Sequence, residues 1–451
     1  MGRARLGTLY KKNPDAARWT GAFTHPRTGK RVIRTLYVDK QASRSALDRM
    51  IREVERSIEG LDDPKAQLRR TPIAEHVRAY LEQCRHERQA PRHLQIKSLH
   101  LDRFIAGCDA ACLDDFTLDA ASRVLRALSA EGKSARTHNH HRATLIAFMN
   151  WAQRTDRIPS HTLARLPVLD EKCDQRRHRR ALTEPELERL LLVARRRPIA
   201  DYGREVVAKV PKERKGRATW TRAPLTFKNL EAAYGRGRKV LAKNLEVLER
   251  LDRLGREREL IYRTLVLTGL RKGELASLTV GSLRLDHDPP YAILAAKAAK
   301  ARVGAEIPLR PDLAAELRHW LEESLAGERA VARRDGLPIP AGLSPGRPLL
   351  RVRADLIRVL EADLRAAEIP KRDDRGYTVD VHALRHTFGS HLSARGVLPR
   401  TAQAAMRHSN IQLTMNLYTD PRLLDVAAAL EALPRLRSGG TSLDREAARG
   451  T

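Results

Sequence analysis

The sequence predicts a mainly α-helical protein with small β-sheets, an α+β fold arranged in several domains. Three observations lead there. Residues 71–167 carry apolar positions at helical spacing throughout. β-like runs are short and confined to Ala17–Phe23, Lys30–Asp39 and Pro290–Leu309. A chain of 451 residues exceeds what one compact core organises, so two or three domains are expected.

Composition narrows the partners. The 42% hydrophobic content fills real cores, which excludes a disordered tail protein. Lys+Arg 85 against Asp+Glu 55 gives a net charge of +30, and such an excess favours a polyanion, with nucleic acid ahead of a membrane surface. No apolar run approaches bilayer-spanning length, and MGRARLGTLYKK lacks the apolar core of a signal peptide, so a cytoplasmic protein is expected. The four cysteines, Cys84, Cys108, Cys112 and Cys173, form one C-x3-C pair with no second pair or paired His, so reduced thiols are expected rather than a zinc site.

Taken in order, residues 1–60 form an N-terminal module. The two β-like runs flank HPRTG, whose Pro26 and Gly29 suit a hairpin loop, and Leu47, Ile51 and Val54 mark a helix over Ser43–Ile58. Leu61–Arg70 reads as a linker. Residues 71–167 then read as four helices: one opening at Thr71-Pro72, one near His93–Ile105, one over Leu118–Leu128 and one near Ala135–Thr155. Lys133, Arg136, His138, His140, His141 and Arg142 cluster at the start of the fourth, where a helix N-terminus and cations both suit phosphate. The polar stretch Arg165–Arg180 ends in the basic run Arg176–Arg180 and reads as an interdomain strap, with Arg176, Arg177 and Arg179 candidate DNA contacts.

A further domain, 181–435, opens at Leu182-Thr183, where Thr183 and Glu186 fit a capping box before an amphipathic helix. Pro198–Arg256 interrupts the periodicity and is strongly basic. It reads as an insertion, either an extra DNA contact or a protein docking surface, or else a solvated, mobile insert. Glu257–Leu278 is an apolar helix broken at Thr268-Gly269, with a new helix opening at Arg271. An Arg there, beside the free N–H groups of a helix start, makes an anion site. Pro290–Leu309 reads as a β-hairpin, Leu313–Leu325 as a helix, Ala326–Pro348 as a Gly/Pro-rich loop, and Ala354–Ala367 as a helix. Residues 436–451 read as a flexible tail.

The chain is organised around Val381–Asp420. His382 and Arg385 stand at i, i+3 and share a helix face, and an imidazole beside a guanidinium fork clamps phosphate oxygens. His408 follows in an R-H-S turn. Ten residues on, Tyr418 offers a phenol able to attack a clamped phosphorus and form a covalent ester.

From about residue 180 to 430 this pattern resembles the tyrosine recombinases, the phage-type integrase family. Its parts are an Arg in a T-G-x-R turn (TGLR, Arg271), a Lys on a β-hairpin, H-x-x-R (HALR, His382 and Arg385), a G-H-S-like turn (RHS, His408), and a Tyr near the end (Tyr418). The sequence departs from the family in having Arg407 where glycine usually precedes the His, and in the long 198–256 insertion.

The resemblance implies an N-terminal arm-binding-like module, a helical core-binding domain, and a mixed α/β catalytic domain. It implies site-specific cutting and rejoining of duplex DNA through a 3′-phosphotyrosine, by a homotetramer on DNA, for a mobile element or prophage, with accessory DNA-bending or directionality proteins as possible partners. Arg271 and Arg385 hold the scissile phosphate and Glu274 buttresses the site. His382 accepts the Tyr proton or orients the phosphate, and His408 donates a hydrogen bond. A hairpin Lys gives the leaving oxygen its proton: Lys300 fits K-x-R with Arg302, Pro308 and Leu309 following, and Lys297 is the alternative. The ester conserves bond energy, so no metal or other cofactor is implied. The apolar helix after Tyr418 packs within its own chain or on a neighbour. Rival readings are a type IB topoisomerase-like enzyme, which does not pair two sites, a catalytically inactive DNA-binding protein, and, as a subclass, a chromosome-dimer resolvase.

Overall fold

In a computed structural model the chain divides into two compact units, residues 1–176 and 177–451. The structure describes residues 7–14, 16–26, 28–58, 71–208, 219–296, 303–415, 430–431 and 433. Helices dominate and the sheets are small and antiparallel, so the α+β class holds. No helix among the described residues is long and apolar enough to cross a membrane.

In the first unit, β1 (Gly7–Tyr10), β2 (Thr20–Thr24) and β3 (Arg31–Thr35) form a sheet in that order, with Ala22 opposite both Thr8 and Ile33. The edge strand β1 escapes sequence reading because four residues, GTLY, show too little alternation. Helix α1 (Lys40–Ile58) starts three residues before the expected Ser43, because the Asp39 carboxylate accepts the Ala42 N–H at 2.6 Å. It presses on the sheet at a glycine: a Cβ on Gly21 would lie 2.8 Å from Leu36 and 3.0 Å from Leu47.

Four helices follow, α2 (Ile73–His86), α3 (Pro91–Cys108), α4 (Leu118–Ala130) and α5 (Ala135–Arg154). The hydroxyls of Thr117 and Ser134 cap α4 and α5. Leu101, Phe104, Leu125, Leu128, Leu145 and Phe148 fill their common core.

The second unit opens with α6 (Glu184–Ala200), and Thr183 and Glu186 close the expected capping box. The interrupted stretch 198–256 is folded where it is described. Strands β4 (Val206–Ala208) and β5 (Trp220–Arg222) pair, and α7 (Leu230–Leu241) follows. Two glycines let α7 lie backbone to backbone on its neighbours. A Cβ on Gly237 would meet the Ile199 carbonyl oxygen at 2.2 Å, and one on Gly203 the Ala233 oxygen at 2.0 Å. The helix expected from Glu257 begins at Leu245, as α8 (Leu245–Thr268), because Asn244 caps Val247 and Leu251 packs with Ile199 and Leu241.

After the short α9 (Lys272–Ser277), β6 (Leu283–Arg284), β7 (Tyr291–Leu294) and β8 (Ala305–Pro308) form a three-stranded sheet, one strand more than the expected hairpin. Helix α10 (Pro311–Arg334) runs past the expected end at Leu325, because Ala332 still buries, and stops before Gly336 at φ +65°. Helices α11 (Leu356–Ala366), α12 (Val381–Ala394), α13 (Pro399–Met406) and α14 (Ile411–Met415) complete the described chain. Leu190, Val193, Leu265, Leu317, Leu360 and Leu384 belong to one continuous core, which fixes α8 and α12 side by side. The helix expected after Tyr418 lies outside the described residues, apart from Leu430, Glu431 and Leu433.

Candidate phosphate-binding site

Three turns bring the site together. The first is the break after α8. Gly269 has φ +61°, which favours glycine, and a Cβ there would stand 2.4 Å from Cδ1 of Phe388 on α12. Replacing Gly269 by Ala is therefore expected to cost about 1–3 kcal/mol, from backbone strain and overpacking together, measured by urea unfolding.

Arg271 follows at the N-cap of α9. The expected cluster of free N–H groups is partly taken. The Glu274 carboxylate accepts the Arg271 N–H at 3.0 Å and Nη1 at 2.6 Å, because the side chain three residues into the helix reaches back to the cap. Glu274 is 3% exposed, and although burial raises a carboxyl, the Arg271 hydrogen bonds and the nearby Arg407 hold it below the usual range.

The second turn enters α12. Asp380 caps Ala383 at 2.8 Å and pairs with Nε of Arg179 at 2.9 Å. His382 keeps an exposed edge, while Arg385, three residues on, is 2% exposed. Its guanidinium donates from Nη1 to the Gly269 carbonyl and from Nη2 to that of Met406, tying the first turn to the third. Burial, with the cations of Arg271 and Arg407 close by, pushes Arg385 down to about 9, and Glu274 opposes the shift.

The third turn ends α13. Arg407 sits at φ +53°, ψ +44°, the left-handed conformation that explains a usual glycine there. His408 follows, with its ring Nδ1 at 3.0 Å from Oγ1 of buried Thr414. Loss of water and the cations of Arg385 and Arg271 push His408 down to about 4. Loss of water, Arg179 and Arg385 do the same to His382, against Asp380. Both shifts favour the neutral imidazole.

Thus Arg271, His382, Arg385 and His408 come together, with Glu274 among them. Lys300, its alternative Lys297, and Tyr418 lie outside the described residues. The basic residues called for DNA separate by environment. Lys133, Arg136 and Arg177 are exposed. Arg142 donates to the carbonyls of Leu166 and Ala164 at 2.8 and 3.0 Å. Arg176 pairs with Asp174 and donates to Gly132 and Lys133. Two of the neighbouring histidines, His138 and His141, are buried, and His141 stacks on His100 at 3.7 Å. The run Arg176–Arg180 is no loose strap at its far end. Arg180 is buried on Glu186 and the Pro370 carbonyl, His178 stacks on Tyr377, and Arg179 reaches the α12 cap. Arg179 and Arg407 are site residues whose surroundings sequence reading missed. The signal was present for Arg407, as a bulky residue at a glycine position.

Residues 242–423 match the model of the phage integrase family. Proteins named tyrosine recombinase XerD from Brucella suis biovar 1 (strain 1330) and Brucella melitensis biotype 1 (strain ATCC 23456 / CCUG 17765 / NCTC 10094 / 16M) are each 30% identical over 161 residues, 35% of this chain and 46% of theirs. The chain thus spans about half the length of the curated relatives it matches. Among solved structures, a lambda integrase dimer bound to a COC' core site is 17% identical, with 93% of this chain and 97% of that chain covered and a TM-score of 0.49.

Proposed function

We propose that this chain, whose residues 242–423 match the model of the phage integrase family, is a site-specific DNA recombinase that cuts and rejoins duplex DNA through a 3′-phosphotyrosine. The observation that carries the reading is buried Arg385, whose fork rests on two backbone carbonyls. Around it the described side chains set the guanidiniums of Arg271, Arg385 and Arg407 against the one carboxylate of Glu274. That excess of positive charge, buried at Arg385 and part-buried at Arg271 and Arg407, is offset by a phosphodiester. The name tyrosine recombinase carried by the two relatives agrees with this chemistry.

In the proposed reaction the Tyr418 oxygen attacks phosphorus and the P–O5′ bond breaks. Neutral His382 accepts the phenolic proton or orients the phosphate. Arg271 and Arg385 hold the non-bridging oxygens as charge grows on them in the transition state. His408, with Nδ1 engaged by Thr414, donates from Nε2. Lys300, or Lys297 in its place, protonates the leaving 5′ oxygen. A 5′-hydroxyl of the partner strand then attacks the ester and restores the phenol. Exchange between two duplexes requires several protomers, so a homotetramer on DNA is proposed. Lys133, Arg136 and Arg177 are proposed backbone contacts, and the N-terminal sheet module an arm-DNA contact suited to a mobile element or prophage. Accessory bending or directionality proteins belong to the same reading.

The test is covalent trapping on nicked suicide duplexes built from DNA flanking the gene. The wild type is expected to give a 3′-linked adduct. Tyr418→Phe is expected to give none while retaining salt-sensitive DNA binding. Residual adduct in that variant would refute Tyr418 as the nucleophile. Binding without adduct by the wild type would favour the inactive DNA-binding reading.

A further inference from the structure

Arg407 replaces the residue its backbone conformation prefers, and its side chain has a defined place. Nη2 lies 3.3 Å from Oε2 of Glu274, and the guanidinium also reaches the carbonyls of Thr268 and Gly269, each at 3.4 Å. The Arg407 side chain is 17% exposed and that of Glu274 3%. Glu274 is thus shared between two guanidiniums, bound closely by Arg271 at 2.6 Å and held from its other oxygen by Arg407.

This sharing bears on the recombinase reading, on which the inference rests. In the DNA-free protein one nitrogen of the Arg271 fork, Nη1, is engaged by Glu274. A scissile phosphate that takes both edges of the fork competes with Glu274 for that nitrogen. If Arg271 turned away alone, a buried carboxylate would lose its counterion, which strongly opposes the turn. We infer that Arg407 is a positioning residue: it retains Glu274 as a buried anion, so that Arg271 can exchange the carboxylate for a phosphate oxygen. Arg407 also anchors the turn that carries His408 to the turn that carries Arg271, through the Thr268 and Gly269 carbonyls. The opposing effects of its backbone and side chain make the role separable. Glycine at 407 suits the left-handed turn and removes the guanidinium.

The experiment compares full-length wild type, Arg407→Gly, Arg407→Lys and the double variant Arg407→Gly/Glu274→Gln. Adduct formation on the suicide duplexes is timed across pH, and Tm is measured for each protein. Arg407→Gly is expected to slow adduct formation roughly 10- to 100-fold, with Tm near that of wild type because relief of the left-handed strain offsets the lost contact to Glu274. Its deficit against wild type should shrink as pH falls, because Glu274 without Arg407 protonates more readily and then no longer competes for Arg271. Arg407→Lys should recover most of the rate by restoring the charge. The double variant should be faster than Arg407→Gly, since no unpaired carboxylate competes for Arg271. A glycine variant with the wild-type rate and pH profile overturns the inference. So does a slow glycine variant that neither lysine nor the double change improves, because that pattern marks a structural lesion. In both cases the wild-type adduct still stands. Its absence fells the recombinase reading and this inference with it.

Discussion

Arg385→Lys is expected to slow adduct formation by about 10²–10³-fold, the scale of losing one preorganised donor to a developing oxyanion. Lysine keeps the charge and loses the planar fork. In the structure that fork donates to the carbonyls of Gly269 and Met406 and so fixes where the cation sits between the Arg271 and His408 turns. A single ammonium cannot serve both carbonyls and a phosphate in the same geometry. Stability should fall as well, by about 1–3 kcal/mol, since a buried carbonyl loses its partner. The two effects separate by measurement: urea unfolding reads the second, and single-turnover trapping at saturating DNA reads the first. A rate within tenfold of wild type would show that Arg385 does not hold the scissile phosphate.

Asp363→Ala is expected to have the largest effect on stability, about 3–5 kcal/mol, through a buried network that loses its anion. Asp363 is 0% exposed on α11. Its carboxylate accepts Nε of Arg197 at 2.5 Å from α6, and Nη1 of Arg258 at 3.2 Å and the Tyr262 hydroxyl at 2.7 Å from α8. Burial, with the Asp363 charge alongside, pushes the Tyr262 phenol well above its ordinary range, so it stays a donor. Removing the carboxylate leaves the Arg258 guanidinium without its partner and Arg197 with only the longer carboxylate contact, to Asp201 at 3.6 Å, across three helices. At about 2–4 °C per kcal/mol for a unit of this size, Tm should fall by roughly 6–20 °C. A loss below about 1 kcal/mol would show that water enters and replaces the carboxylate.

Part of this was legible locally. The class of fold follows from periodicity, because a helix or strand declares its buried face within a few turns. The cap at Thr183 was written in the three-residue spacing to Glu186. His382 and Arg385 could be singled out as a candidate pair by type and spacing, since guanidinium and imidazole chemistry travels with the residue, and the structure sets both beside Arg271 and His408. Helix ends were less legible. Leu245 and Arg334 bound helices longer than their local pattern, because distant packing and capping decide where a turn is worth forming.

The tertiary structure alone decided how these groups are charged and paired. No local spacing connects Arg179 with Asp380, or Asp363 with Arg197 and Arg258, residues separated by more than 100 positions. Burial and neighbouring cations, properties of the assembled interior, push His382 and His408 to about 4 and Arg385 to about 9. Arg407 illustrates the division. Its identity could be read as a departure from glycine. Its grip on Glu274 exists only because the core sets the end of α13 against the Gly269 turn. Chemistry belongs to the residue and is written in the sequence. Electrostatics belongs to the neighbourhood and appears when the chain closes around it.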